Sequence, residues 1–178
     1  MSDQRPVITM VCTGNAARSV MAALLLRDRL GENGAVTVES AGTLVIPDQP
    51  MSIRTRSALE RHGLRDPFHR SKQLDEALVD RSTLILTMEE SHGQWMRRRL
   101  PAALKLSGSL KRVVAELPAT ASTSSDLAAR VAELNLAEHT FEPWEEVIDP
   151  GSGTQDAFDS CIDELALLID ALVVELKR

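Results

Sequence analysis

The sequence predicts an α/β fold: a four-stranded parallel sheet with helices on both faces, in one domain spanning residues 1–178. Three observations point there. Short β-rich runs alternate with helical stretches, the pattern of strands joined by crossover connections. A chain of 178 residues with 43% apolar content is long enough to bury one substantial core. The first strand-like run also ends on a cysteine and a glycine-bearing turn, where a parallel sheet puts its ligand site.

Taken in order, PVITMV (6–11) is the first strand. SVMAALLLRDRLGENG follows as a helix, with Met21, Leu24, Leu25 and Leu30 recurring at spacings of three to five and Gly31 or Gly34 to end it. AVTVES (35–40) is the second strand. PMSIRTRSALERHGL (50–64) is the second helix, opened by a proline and closed near Gly63. STLILTM (82–88) is the third strand, and EESHGQWMRRRL (89–100) a helix stopped by Pro101. Residues 107–116 and 125–135 read as helical, joined by PATASTSS, a polar loop expected to be mobile. The fourth strand is expected between residues 137 and 148. From about Thr154 a helix sets Phe158, Ile162, Leu165, Ile169, Leu172 and Leu176 on one face.

Composition narrows the function. Twenty Lys and Arg against 26 Asp and Glu give a net charge of −6, which argues against nucleic-acid binding. LALLIDALVVEL carries Asp170 and Glu175, so it reads as an amphipathic core helix and no membrane insertion is expected. The N-terminal apolar run is too short for a signal peptide. Cys12 and Cys161 make neither a disulfide framework nor a Cys-rich zinc site. His62, His92 and His139 lack metal-ligand spacing and are taken as surface residues, so no metal and no organic cofactor is expected. Two unpaired cysteines fit a cytoplasmic setting. The oligomeric state is left open.

The stretch C-T-G-N-A-A-R-S (12–19) has the parts of an anion cradle. Gly14 and Asn15 accept unusual dihedrals. Thr13, Ala16 and Ala17 are small enough for successive N–H groups to turn inward at a helix N-terminus. Arg18 adds a planar fork of donors matched to two phosphate oxygens. The same positive field favours a thiolate at Cys12, and a thiolate facing phosphate suggests transfer through a phosphocysteine. Ser19 can donate a hydrogen bond to the sulfur and ease its departure. The loop is not a G-x-x-x-x-G-K-[ST] nucleotide loop, since the second Gly and the Lys are missing. For an isolated Cys, a buried strand-end residue would be the simpler reading; here strand, turn, Arg and helix share one window.

This window resembles the C-x5-R-S signature of the low-molecular-weight protein tyrosine phosphatases, whose fold is Rossmann-like. ESAGT (39–43), HRSKQL (69–74), LTMEESH (86–92) and Asp149-Pro150 resemble further segments of that family, in family order over most of the chain. The resemblance implies hydrolysis of a phosphate monoester, on a phosphorylated protein or a small ester, with phosphotyrosine as the expected substrate. It also implies that Asn15, Ser19, Ser40 and His69 form a network holding the cysteine loop. Asp149 is the candidate acid, and then base, in a loop restricted by Pro150 and loosened by glycines. Asp156, Asp159 and Asp163 are read as capping or solvent-face residues, and Arg97, Arg98 and Arg99 as a solvated helix end.

Three departures from the pattern stand out. Ala17 occupies the place of a second loop cysteine, Gly151 that of an aromatic residue after the acid, and the chain has no Tyr. The opposite wall offers only Val45 and Ile46, unless Trp95 or Trp144 reaches the mouth. Two other functions fit the same loop. An arsenate reductase would need an external thiol, because Cys161 falls on the apolar stripe of the last helix. A non-hydrolysing phosphate or phosphoprotein-binding module would need neither Cys12 nor Asp149.

Overall fold

A computed structural model of the chain describes residues 5–32, 34–119 and 126–177. The strands are β1 (Val7–Cys12), β2 (Thr37–Gly42), β3 (Leu84–Thr87) and β4 (Ser107–Ser109). All pair in parallel, in the order β2-β1-β3-β4. The helices are α1 (Arg18–Leu30), α2 (Ile53–Arg61), α3 (Glu76–Arg81), α4 (Glu90–Arg99), α5 (Leu110–Glu116), α6 (Leu127–Glu133) and α7 (Gln155–Leu176).

Strand periodicity divides the core in two. Ile8, Met10, Leu84 and Leu86 face a large cluster with α1, α2, α5, α6 and α7. Val11, Ala41 and Ile85 face a smaller one with α3, α4 and the turn after it. Alternate side chains point to opposite faces, and both faces are covered, so β1 and β3 are mainly apolar, Thr9 and Thr87 being buried. The last helix buries the stripe its spacing predicts: Phe158, Ile162, Leu165, Ile169 and Leu172 are buried, and Leu176 packs partly against them.

The fourth strand is not where the sequence pattern puts it. β4 is Ser-Gly-Ser at 107–109, inside the stretch read as helix, while 137–148 holds two short 3-10 turns around extended backbone. Three small residues carry no β signal of their own; pairing with Ile85–Thr87 defines this strand. A Cβ on Gly108 would lie 2.9 Å from Val113 and 3.0 Å from Leu136, so only glycine fits without displacement. Pro143, within the expected strand, instead opens a 3-10 turn. The short helix α3 is an element the pattern reading leaves out; Asp75 caps it by accepting from Leu78 N. Most of PATASTSS lies outside the described residues.

The segment before Asp149 is nevertheless tied down. Val147 N donates to Met88 O at 2.8 Å, just beyond β3. Glu145, 2% exposed, accepts from Arg112 Nη2 at 2.6 Å and from the Ser109 hydroxyl. Trp144 lies over the Arg112 guanidinium, 5.4 Å from its carbon to the ring centre. The loop carrying Asp149 is therefore tied to the ends of β3 and β4 and to Arg112 of α5.

Candidate active site

β1 delivers Cys12 to the carboxyl edge of the sheet, and the chain turns through 13–17 into α1. Asn15 sits at φ 51, the left-handed conformation expected of it. The helix starts at Arg18, and its N-cap, Ala17, makes no side-chain cap. The first N–H groups of a 13-residue helix thus have no side-chain acceptor, which suits an anion. β2 passes very close: a Cβ on Gly42 would stand 2.4 Å from Thr13 O, so the approach depends on glycine.

The structure joins Asn15, Ser19, Ser40 and His69 into one hydrogen-bonded network. Asn15 Nδ2 donates to Ser19 Oγ and to Ser40 Oγ, both at 3.0 Å. Ser19 Oγ lies 3.0 Å from Cys12 Sγ. With one amide proton of Asn15 already directed at its oxygen, the Ser19 hydroxyl proton is free for the sulfur. His69 Nε2 and Ser71 Oγ reach Asn15 O at 2.8 and 2.9 Å, and Lys72 N donates to Asn15 Oδ1 at 3.0 Å. Asn15 is fully buried with its carbonyl and both side-chain polar atoms engaged, so the strained turn is held from three sides. Burial lowers the His69 pKa, partly offset by its bond to Asn15.

Arg18 is 2% exposed, an unusual burial for a guanidinium. Its Nη1 donates to Glu89 Oε2 at 2.5 Å and to Val147 O at 3.1 Å, and its Nη2 is 3.1 Å from Asp149 Oδ2. Asp149 is half-exposed and accepts from Gly151 N at 3.0 Å. Arg18 is thus clamped along one edge while its other edge meets the half-exposed Asp149 carboxylate at the mouth of the cradle. Cys12, Thr13, Gly14, Ala16, Ala17, Arg18, Asp149 and Phe158 line one cavity of about 190 Å³, closed further by Ser52 and Gly151.

Sequence reasoning misplaced His92. It is fully buried, not on the surface, and bonds the cradle: Nε2 is 3.1 Å from Thr13 Oγ1. Its Nδ1 accepts from Met88 N and Glu89 N, each at 3.3 Å, so the ring proton sits on Nε2 and is donated to Thr13. Burial, ahead of the nearby charges, pushes the His92 pKa down to about 4 and keeps the ring neutral. Glu89 was also missed. Burial raises its pKa, but hydrogen bonds from Ser91 and Arg18 and the Arg18 charge outweigh that, and the net shift is downward. The signal available was Glu89 with His92 three residues on, at the carboxyl end of β3, where α/β sheets gather ligands. Neither Trp lines the cavity, nor do Val45 and Ile46; the one aromatic wall is Phe158 of α7. His62 instead pairs with Asp163 at 2.9 Å, and His139 with Arg112 at 3.0 Å. No group of three or more His, Cys, Asp or Glu suited to a metal occurs among the described residues.

The sequence pattern of the family described as low molecular weight phosphotyrosine protein phosphatase matches residues 7–114. The chain belongs to that family. Among its low molecular weight phosphatase relatives, a protein-arginine-phosphatase of Geobacillus stearothermophilus is 30% identical over 170 residues, spanning 96% of this chain and 95% of its own. A probable low molecular weight protein-tyrosine-phosphatase EpsP of Ralstonia nicotianae is 38% identical over 95 residues, or 53% of this chain and 63% of that one. The solved YwlE arginine phosphatase of Geobacillus stearothermophilus superposes with a TM-score of 0.74 at 28% identity, covering 97% of this chain and 93% of that one. A YwlE arginine phosphatase mutant with a phosphorylated active-site serine gives 0.75 at 26% identity, covering 97% and 96%. These likenesses agree with the parallel four-stranded sheet and make the chain a hydrolase of the phosphatase family. No helix among the described residues is long and apolar enough to cross a membrane.

Proposed function

We propose that the protein dephosphorylates protein side chains through a phosphocysteine at Cys12, and that phosphoarginine is its primary substrate class. The observation that carries the chemistry is Ser19 Oγ at 3.0 Å from Cys12 Sγ, beneath a cradle closed by the Arg18–Asp149 contact at 3.1 Å. Phosphate entering the cradle takes the N–H groups of residues 13–18 and the Arg18 edge that Asp149 now occupies. The Cys12 thiolate attacks phosphorus in line, the bond to the leaving atom breaks, and Asp149, displaced from Arg18 and in its carboxylic acid form, gives its proton to that atom and is left as the carboxylate. Water then attacks the phosphocysteine with Asp149 as base, and the thiolate departs onto the Ser19 hydroxyl. Glu89 and Val147 O keep Arg18 in register throughout.

For the substrate, the walls matter. Ser52, Gly151 and Asp149 are small or polar, and Phe158 is only 3% exposed. Such walls give little area for stacking a phenyl ring, whereas the polar rim of Ser52 and Asp149 offers hydrogen-bond acceptors to a guanidino group. A relative aligned over 96% of the chain is a protein-arginine-phosphatase, which supports the same choice. Phosphotyrosine is the second reading, favoured by the family description and by the exposed aliphatics Leu44, Ile46 and Ile148 on loops adjoining the site. A cytoplasmic setting fits a thiolate mechanism and two unpaired cysteines.

The test compares kcat/KM on matched phosphoarginine, phosphotyrosine and phosphoserine peptides, with thiol-coupled arsenate turnover run alongside. Phosphoarginine should lead; a phosphotyrosine lead would reverse the substrate order, and arsenate turnover without hydrolysis would overturn the phosphatase reading. Cys12→Ser should fold and lose turnover. Hydrolysis near the wild-type rate by that variant would end the phosphocysteine mechanism.

A further inference from the structure

We infer that the face carrying α2 and the segment after it recognises acidic residues flanking the phosphorylated side chain of a protein substrate. This rests on the phosphatase reading above and extends it from the phosphate to the surrounding chain.

Charge is unevenly distributed along the chain. Residues 54–72 hold six Lys or Arg (Arg54, Arg56, Arg61, Arg65, Arg70 and Lys72) against Glu60 and Asp66. That is +4 in a chain whose total is −6, so the positive charge is concentrated rather than spread. The fold then fixes this segment to the phosphate cradle. Thr55 Oγ1 donates to Ala16 O at 2.9 Å, and Ser71 Oγ and Lys72 N hold Asn15. Ser52, which caps α2, lines the cavity with Cys12. At about 1.5 Å per residue, Arg54 and Arg56 lie about 3 and 6 Å along the helix axis from that lining residue.

Most of these cations are already partnered. Arg61 meets Asp159 at 3.3 Å and Asp163 at 3.6 Å, Arg65 meets Glu60 at 3.6 Å, Lys72 pairs with Glu39, and Arg70 donates to the His69 carbonyl. Arg54 and Arg56 are both exposed, and neither side chain has an ion pair or hydrogen bond among the described residues. Two free guanidinium groups beside a phosphate site, in an otherwise acidic protein, offer a complement to carboxylates a few residues from the phosphorylated one. They also raise the encounter rate with an acidic segment, whereas a basic segment is repelled by them. Ile53 and Phe68, 78% and 86% exposed, border the patch and can cover the aliphatic part of the same segment.

The experiment uses the full chain and peptides with one phosphorylated residue, of whichever type is hydrolysed, flanked by Asp/Glu, Ala or Lys. Acidic flanks should raise kcat/KM about fivefold to tenfold over Ala through KM, and the gain should shrink at high salt. Arg54→Glu with Arg56→Glu should abolish or invert the preference and leave p-nitrophenyl phosphate hydrolysis unchanged. Arg54→Lys with Arg56→Lys should retain most of it. Peptide binding to Cys12→Ser, read by fluorescence anisotropy, should rank the flanks in the same order even where turnover is absent. Hydrolysis with no flank preference, or a preference that survives the double reversal, overturns the inference but leaves the phosphatase reading standing. Absence of hydrolysis on every substrate overturns that reading, and the binding series then decides the acidic preference alone. If the reversal abolishes capture of phosphatidylserine vesicles but leaves peptide binding unchanged, the patch serves a membrane surface and the inference is wrong.

Discussion

Acid should loosen this protein well above the pH at which carboxylates titrate, and His92 is the cause. The ring is fully buried, and its Nδ1 faces two backbone N–H donors, so a proton there would meet repulsion as well as desolvation. Its pKa is pushed down to about 4 from 6.5. The folded state therefore binds fewer protons than the unfolded state between those values, and stability rises with pH across the window. It is intact above pH 6.5, falls as pH drops towards 4, and the loss is complete below that. The full shift corresponds to about 3 kcal/mol, and at pH 5 to about 2 kcal/mol. His69, also lowered by burial, adds a smaller effect of the same sign. Glu89, Glu145 and Asp163, whose pKa values are lowered, lose their contributions only below the ordinary carboxylate range. Urea unfolding followed by circular dichroism should show a midpoint lower by about 1 M at pH 5 than at pH 7. His92→Gln keeps a donor and an acceptor but cannot titrate; it should be less stable at pH 7 and much flatter between pH 7 and 5. An equal pH dependence in the two proteins would refute the assignment to His92.

Asp149→Asn should slow cleavage most for poor leaving groups and least for p-nitrophenolate, because only the former depend on protonation in the transition state; an equal loss across a leaving-group series would move the acid elsewhere. The same substitution should change stability by under about 1 kcal/mol, since Asp149 is half-exposed. Glu145→Gln removes the closest carboxylate from Arg112, which keeps Glu116 at 2.8 Å, and should cost about 1–3 kcal/mol, read as a fall in the urea midpoint; no measurable cost would mean the loop before Asp149 is anchored by other contacts. Peroxide should carry Cys12 past sulfenic acid, because Ala17 replaces a loop thiol and burial pushes the Cys161 thiol up to about 12, making it a poor attacking group. Full recovery with dithiothreitol, together with an intact mass two daltons lower, would instead mark a Cys12–Cys161 disulfide.

The sequence by itself determined the parts whose chemistry is local. An apolar run ending on Cys12, residues small enough for a nest, an Asn that tolerates φ 51 and an Arg at a helix start are neighbours in the chain, so their spacing carries their geometry. The final helix was equally legible, since a long stripe at helical spacing has few other solutions. What only tertiary structure decided are pairings between distant segments. β4 exists because Ser107–Ser109 lies beside β3, not because Ser-Gly-Ser prefers extension. His92 becomes a buried support of the cradle because α4 starts against Thr13, 79 residues earlier in the chain. Arg18 is clamped by Glu89 and by the carbonyl of Val147, 71 and 129 residues away. Phe158, legible only as a stripe residue, lines the Cys12 cavity because α7 packs along α1. Periodicity reports which face of an element is buried; which element buries it, and which polar group it meets there, is fixed by contacts that the local sequence does not encode.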